Sequence, residues 1–464
     1  MSNELNDASK DEQIRALESR VRELETTLSK LEVQQQQQPP HRDAASGHVA
    51  KEAASSSESF LRRRLSTDKN LTAEEIERYS RQLILSQGFG VRGQQKLVSS
   101  SACVIGAGGI GSTLLMYLAT AGIGQLGIVD FDTVDVSNLH RQVIHRTDRV
   151  GQNKAISAKL TLEALNPLVS YRIHDCQVNA ANVLNLVEKY DCIVDCSDNP
   201  KTRYLVNDAC VLANKPLISG SAVGLEGQIT VYNYQNGPCY RCLYPRPSAT
   251  TGCRSCADAG VFGPVPGLIG ILQAIETIKV LTETGSALSD RLLMYDSMQA
   301  SFLSIKKPPK RPQCAVCGST PTIRSMADSQ ETLLTAVGPQ PELVPAALAN
   351  DLTVTCEAYN EIRTSKTPHI LLDVRVKEQY ELCHLPDSVH IPLDSITGEL
   401  DHIERISGGK LPIYCLCRRG IASTDATIIL SEAKVSRHGI HSVFNIEGGL
   451  DSWRTSVDPS FPRY

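Results

Sequence analysis

Apolar positions near the start of the chain recur at Ile14, Leu17, Val21, Leu24, Leu28 and Leu31, in alternating steps of three and four. That spacing is the seam of a short coiled-coil-like helix, under three heptads long. It runs into the polar stretch Gln34 to Pro40, after which the chain turns Ser/Ala-rich and charged as far as about Ser66. Such a composition buries too little apolar surface to fold alone and reads as a disordered linker. Residues 1–66 are therefore expected to be a helix followed by a tether.

From about Leu71 the pattern changes. Short apolar runs such as Ala102-Cys103-Val104-Ile105, Leu126 to Val129 and Ile193-Val194-Asp195 alternate with helical periodicities through Leu114 to Ala121, Lys154 to Leu165 and Tyr204 to Ala213. This alternation predicts a doubly wound, Rossmann-like α/β domain over 67–318. The most apolar stretch, Val261 to Ile275, is interrupted by Pro264, Pro266 and several glycines, and is expected to be too short and broken to span a membrane. Residues 319–342, rich in Ser, Thr, Pro and Gly, read as a linker. Strand and helix patterns then resume over 343–464, a second and smaller α/β domain.

Composition adds constraints. Lys+Arg of 47 against Asp+Glu of 51 leaves a formal charge of −4, which gives no global attraction for nucleic acid or anionic lipid. The first residues are acidic and lack an apolar core, unlike a secretory signal. Fifteen cysteines without one point to a reducing compartment, the cytoplasm, where thiols serve metal binding and catalysis.

The chemistry begins at Gly106-Ala107-Gly108-Gly109-Ile110-Gly111, directly after a predicted strand and opening a helix. Glycines there let the backbone turn tightly and approach a phosphate at the positive end of the helix. Asp130 and Asp132 end the next strand about 20 residues on, where a ribose hydroxyl would be accepted. An NAD enzyme fits this much as well as an ATP enzyme. Arg141 after Asn138-Leu139-His140, Lys154 opening a helix, and Asp198-Asn199 beyond a third strand shift the balance. Two cations and an acid at strand ends suit a triphosphate with Mg²⁺, and hydride transfer needs none of them.

Three Cys-x-x-Cys pairs follow: Cys239/Cys242, Cys253/Cys256 and Cys314/Cys317. Two pairs make a tetrahedral Zn²⁺ site, and spacing does not say which. Near the end, Cys417-Arg418-Arg419-Gly420 joins a strand to a helix. A thiol at such a turn faces backbone N–H groups and a helix N-terminus, which stabilise a thiolate or persulfide. Cys415 is expected on the opposite face of the strand, in a structural role.

The first set of segments resembles the ubiquitin-activating-enzyme-like superfamily, the MoeB/ThiF adenylyltransferases. The resemblance implies an ATP site made of Gly108, Gly109, Asp130, Ser137, Asn138, Leu139, His140, Arg141, Lys154, Asp198 and Asn199. Within it Asp130 would hold the ribose, Asn138, Arg141 and Lys154 the phosphates, and Asp198 the Mg²⁺. It implies a homodimer, with Arg81 of Glu77 to Leu83 contributed to the partner subunit's ATP site. It also chooses Cys239, Cys242, Cys314 and Cys317 as Zn²⁺ ligands, leaving Cys256, before Ala257-Asp258, as the thiol of a mobile catalytic loop.

The second set, Leu372 to Arg375, His384 to Ser388, Cys417 to Ser423 and Glu447 to Leu450 with Trp453, resembles a rhodanese domain with Cys417 as its persulfide carrier. Asp387-Ser388 departs from the Gly-Ala pair common there. The fusion resembles the eukaryotic molybdopterin-synthase adenylyltransferase/sulfurtransferase family. That implies ubiquitin-like sulfur carriers as partners (the molybdopterin synthase small subunit and the ubiquitin-related modifier), with a cysteine desulfurase or other persulfide donor. It places the activity in molybdenum cofactor biosynthesis and tRNA wobble-uridine thiolation, without direct nucleic-acid binding. The rival readings are a plain sulfurtransferase with a scaffold nucleotide domain, and an NAD-linked oxidoreductase.

Overall fold

A computed structural model describes residues 70–86, 88–246, 260–336, 352–436 and 440–464. The N-terminal helix and tether expected over 1–66, and Cys253 and Cys256, lie outside the described residues.

The larger sheet comprises β1 (Ser101–Ile105), β2 (Gln125–Val129), β3 (Ser170–His174), β4 (Cys192–Asp195), β5 (Leu217–Val223), β6 (Glu226–Tyr232), β7 (Arg291–Asp296) and β8 (Ser301–Lys306). Their spatial order is β3-β2-β1-β4-β5-β6-β7-β8. The first five are parallel, and the last three add on antiparallel. Val104 of the fully buried β1 pairs with Ile128 on one side and Val194 on the other. Both faces of β1 are covered. Ala102 and Val104 pack with Leu114 and Leu118 of one layer, while Cys103 and Ile105 pack with Tyr190 and Val206 of the other. Burial on both sides explains the unbroken apolar run.

Strand order reverses between β1 and β4. In a doubly wound sheet the connections leaving those two strands go to opposite faces, so a crevice opens at their carboxyl ends. Gly106, Asp130 and the segment Asp195 to Asp198 all lie there.

The apolar stretch expected to be broken is one helix, Pro264–Thr282, long and apolar enough to cross a membrane by length and composition alone. Pro264 and Pro266 fall in its first turn, where a missing N–H costs no helical bond, so they start it rather than break it. Just over half of it is buried, against the sheet and the helix Gly109–Ala121. A Cβ on Gly270 would come within 2.2 Å of Ile110 O, so glycine is what lets those two backbones meet.

The stretch 319–342, read as a linker, contains the helix Met326–Ala336. Met326 and Leu333 join the core cluster beside Tyr204 and Val206, and Ser329 is fully buried. Its polar composition hid three inward-facing positions.

The smaller sheet comprises β9 (Thr353–Val354), β10 (Ile370–Asp373), β11 (Val389–His390), β12 (Ile413–Leu416) and β13 (Val443–Ile446). It is wholly parallel, in the order β11-β10-β12-β13-β9. Cys415 and Cys417 share one core cluster, which corrects the expectation of opposite faces. Strand side chains alternate with period two, so residues two apart face the same way. Asp387 sits at φ +64°, a left-handed position that glycine takes without strain and Asp takes more readily than most residues.

Candidate active sites and metal centre

The first site forms around the turn leaving β1. Gly106 has φ +101°, and a Cβ there would meet Cys196 O at 2.9 Å. No side chain caps the helix Gly109–Ala121 at Gly108, so its first N–H groups are left for another acceptor. Asp130 closes the turn: its Oδ2 accepts from Ala107 N at 2.8 Å and its Oδ1 from Asp132 N at 2.9 Å. Burial raises its carboxyl group above the usual range, and the Ala107 N–H opposes that rise.

The segment from Ser137 to Arg141 is wound by short-range bonds. Asp135 Oδ1 accepts from Ser137 N at 2.8 Å and from its hydroxyl at 2.6 Å. Arg141 donates to Ser137 O at 3.1 Å and to Asn138 Oδ1 at 2.7 Å, and His140 Nδ1 lies 3.0 Å from Ser137 O. A Cβ on Gly109 would meet Arg141 Cγ at 3.5 Å, so this segment lies against the glycine turn. Leu139 is half-buried beside it. Gln142, buried, has an Oε1 without a partner, and its Nε2 would stand 3.6 Å from a Cβ on Gly108.

Lys154 is also buried and donates to Asp132 Oδ2 at 2.9 Å, while its backbone N–H bonds Asp132 O at 2.8 Å. Asn153 caps that helix through Ile156 N at 3.0 Å. His145 is pinned beneath the turn, Nε2 at 3.0 Å from Ala107 O and Nδ1 at 3.0 Å from Ser157 Oγ. Burial pulls its pKa from 6.5 to about 4.

Beyond β4, buried Asp195 accepts from Ser197 N–H at 3.0 Å, the Ser197 hydroxyl at 2.6 Å and the Ser219 hydroxyl at 3.1 Å. Arg203 turns inward to it at 3.3 Å. Asn199, not Asp198, caps the helix Pro200–Leu212, accepting from Thr202 N at 2.8 Å. The Asp198 side chain stays exposed and bonds no described residue. Arg81, in the last turn of the helix Ala73–Leu83, is exposed and, among the described residues, is joined to this site by no hydrogen bond or ion pair. The donors and the glycine turn fit a nucleoside triphosphate, the orphaned Gln142 oxygen fits a hydroxyl or amino donor on it, and the uncommitted Asp198 carboxylate fits a divalent cation.

Four thiols meet elsewhere in the domain. Cys239, Cys242, Cys314 and Cys317 are buried, with ligand atoms all within 4.8 Å of one another. Cys239 Sγ lies 3.6 Å from Cys314 Sγ, and Cys242 Sγ lies 3.4 Å from Cys317 Sγ. Sulfurs tetrahedral about Zn²⁺ stand about 3.8 Å apart. The group fits a structural zinc, and the structure joins the two cysteine pairs that the resemblance chose. Cys103, Cys192 and Cys210 are buried thiols whose pKa burial raises, as inert packing requires.

In the smaller domain Cys417 follows β12 and is buried. Gly420 N donates to its Sγ at 3.1 Å, and the Ser423 hydroxyl lies 3.2 Å away. The helix Ile421–Ser436 starts immediately after. Gly420 has φ +85°, and a Cβ there would strike Gly448 N at 2.7 Å. Leu450 N and Asp451 N hold Cys417 O and Arg418 O at 3.0 and 2.9 Å. The loop is thus fixed from its own helix and from the helix Gly449–Ser456.

The comparisons agree with this division. The chain matches the ThiF family over residues 79–316 and the rhodanese-like domain over residues 355–456. It is 43% identical over 400 residues to the adenylyltransferase and sulfurtransferase MOCS3 of Aedes aegypti, covering 85% of this chain and 90% of that one. Against the protein of the same name from Dictyostelium discoideum it is 41% identical over 420 residues, covering 86% and 99%. Among solved structures, E. coli MccB aligns at 28% identity over 54% of this chain and 75% of its own, with a TM-score of 0.48. The chain belongs to the adenylyltransferase and sulfurtransferase family in which a ThiF domain precedes a rhodanese-like domain.

Proposed function

We propose that this chain uses ATP to adenylate the C-terminal glycine of a ubiquitin-like sulfur carrier and then converts it to a thiocarboxylate. One observation carries the reading: a single chain holds both a nucleotide crevice at a strand-order reversal and a thiol seated on the Gly420 N–H. A plain sulfurtransferase would have no use for Arg141, Lys154 and Asp198 at strand ends around a glycine turn.

In the first step the carrier's carboxylate attacks the α-phosphorus of ATP, and pyrophosphate leaves. Gly108 and Gly109 admit the phosphates, Asp130 receives the ribose, and Asn138, Arg141 and Lys154 meet the developing charge. Ser137, Leu139, His140 and Asn199 shape the walls. Asp198 would hold Mg²⁺, which neutralises phosphate charge when bound. Arg81 is free to serve the other subunit of a homodimer. Zn²⁺ on the four cysteines would be structural.

In the second step the terminal sulfur of a Cys417 persulfide attacks the acyl carbon, and AMP leaves. The product is an acyl disulfide. Cys256 then attacks the Cys417 sulfur, releasing the thiocarboxylate and leaving a Cys256–Cys417 disulfide, which an external dithiol reduces. A cysteine desulfurase or similar donor reloads Cys417. The carriers proposed are the molybdopterin synthase small subunit and the ubiquitin-related modifier, in the cytoplasm, for molybdenum cofactor synthesis and tRNA thiolation.

The test combines the chain with ATP, Mg²⁺, a persulfide donor and a carrier ending in Gly-Gly. Carrier-stimulated pyrophosphate exchange and an oxygen-to-sulfur mass change on the carrier support the reading. Sulfur transfer without any exchange would leave the scaffold reading instead.

A further inference from the structure

Arg418 directly follows Cys417. Its Nε is buried without a hydrogen-bond partner, and Asp451 Oδ1 stands 3.8 Å from it, beyond hydrogen-bond reach. The close support is a ring: the Tyr464 centroid lies 5.0 Å from the guanidinium carbon. Tyr464 is itself anchored from the far side. Its hydroxyl accepts from Arg375 Nη1, and the Arg375 guanidinium lies 5.7 Å from the same ring. Arg375 is rigid, paired with buried Asp373 at the end of β10 and donating to Gln379 O at 3.0 Å and Cys383 O at 2.8 Å.

We propose that Tyr464 is a positioning residue for sulfur transfer, holding the guanidinium of Arg418, the residue after Cys417, so that its terminal N–H groups meet an oxyanion on the reacting partner. The inference rests on the reading of Cys417 as the sulfur carrier. A carboxylate in place of the ring would neutralise the guanidinium and occupy its donors. An aromatic face holds the cation and leaves its edge donors open. Two partners bring an oxyanion next to the reacting bond. One is a sulfane donor such as thiosulfate, whose S–S bond breaks as the thiolate takes the outer sulfur and sulfite leaves. The other is the acyl-adenylate, whose phosphate leaves as AMP.

The test uses the full chain with Tyr464→Leu, Tyr464→Phe, Arg418→Gln and the Tyr464→Leu/Arg418→Gln double variant. Leucine keeps bulk and removes the π face, and phenylalanine keeps the face. The first arm measures KM and kcat separately for persulfide formation on Cys417 from thiosulfate. The second measures single-turnover transfer from preloaded Cys417 to an adenylated Gly-Gly carrier.

Tyr464→Leu should raise KM for thiosulfate or slow the carrier step about fivefold to tenfold. The affected arm identifies the anion's source. Tyr464→Phe should stay within twofold of wild type. In the Arg418→Gln background, Tyr464→Leu should add nothing, because both changes remove the same interaction. Pyrophosphate exchange in the same preparations should be unchanged, and thermal denaturation reports folding of the smaller domain. Wild-type behaviour of Tyr464→Leu in both arms, or an effect fully additive with Arg418→Gln, would overturn the inference. Normal sulfur loading of a Cys417→Ala chain would instead overturn the underlying reading of Cys417.

Discussion

Arg241 sits between Cys239 and Cys242, and its guanidinium is locked onto Asp208, Nε to Oδ1 at 2.8 Å and Nη2 to Oδ2 at 2.7 Å, with both side chains fully buried. The Ser329 hydroxyl donates to Asp208 Oδ2 at 2.6 Å, and Asn207 Nδ2 donates to Oδ1 at 3.0 Å. Tyr204 lies 4.8 Å from the guanidinium. One carboxylate thus ties the helix Pro200–Leu212 to the segment between Cys239 and Cys242 and to the helix Met326–Ala336.

Asp208→Ala should therefore cost about 3–5 kcal/mol, because it strands a buried cation. The Asp208→Leu/Arg241→Met double variant should cost less than that single change. Chemical denaturation of the three chains measures both. A loss below about 1 kcal/mol in Asp208→Ala would mean that water or another group compensates Arg241.

That pair also shows where sequence reading stops. The strands, the glycine turn, the Cys-x-x-Cys pairs and the sulfur loop were legible because each is a local pattern (a period, a spacing or a strand-turn-helix context), while which two cysteine pairs meet came from the family resemblance alone. Asp208, Arg241 and Ser329 come from three distant segments, and each alone resembles a solvated polar residue. Only their convergence shows otherwise. Gln142, with its orphaned Oε1, follows Arg141 directly and could have been read as part of the phosphate segment. The periodicity places a helix over Leu268 to Leu281, and the structure starts it a turn earlier, at Pro264, because a proline in the first turn costs no helical bond. Arg203, just beyond Asp198 and Asn199 in the chain, turns inward to Asp195.

Metal analysis should find about one Zn²⁺ per chain. Cys314→Ser/Cys317→Ser should lose the metal and lower the melting temperature, since a structural zinc contributes folding energy. Cys253→Ser/Cys256→Ser should keep it. The opposite pattern would exchange the roles of the two pairs.

His145 gives the nucleotide turn a pH dependence. Its folded pKa of about 4 lies below the ordinary 6.5, so between those values the unfolded chain binds a proton that the folded chain does not. Stability from this group is complete above pH 6.5 and falls as pH drops toward 4, by up to about 3 kcal/mol. Denaturation midpoints measured from pH 7 to 4.5 should show a slope that flattens in His145→Asn, even if that variant is less stable throughout. An unchanged slope would mean that other groups set the acid limit.

Asp198→Ala should abolish carrier-stimulated pyrophosphate exchange while leaving the melting temperature within about a degree or two, because its exposed carboxylate bonds no described residue. Exchange at the wild-type rate would remove Asp198 from the site. If Arg81 serves the partner subunit, inactive Arg81→Ala and Asp198→Ala chains should recover partial activity when mixed. Verified mixed dimers without recovery would place both residues within one subunit.

Cys417→Ala separates the two half-reactions. The nucleotide crevice lies at the carboxyl end of β1 and β4, on a different sheet from Cys417, so pyrophosphate exchange should remain within about twofold of wild type. Thiocarboxylate formation should vanish, because among the described residues no other thiol sits on a backbone donor at the start of a helix with two arginines beside it. Gly420→Ala tests the seat itself. A methyl group at φ +85° is strained and would strike Gly448 N at 2.7 Å, so the loop must shift and the N–H that faces Sγ moves with it. Sulfur loading should fall at least about tenfold, the loss of one charge-assisted hydrogen bond to a thiolate or persulfide, with the thiol still present. Both variants are read in one preparation, by pyrophosphate exchange and by the mass of the carrier product. Thiocarboxylate at a normal rate from Cys417→Ala would show that sulfur travels on another residue. Loss of both half-reactions together would show that the nucleotide and sulfur sites act as one coupled unit.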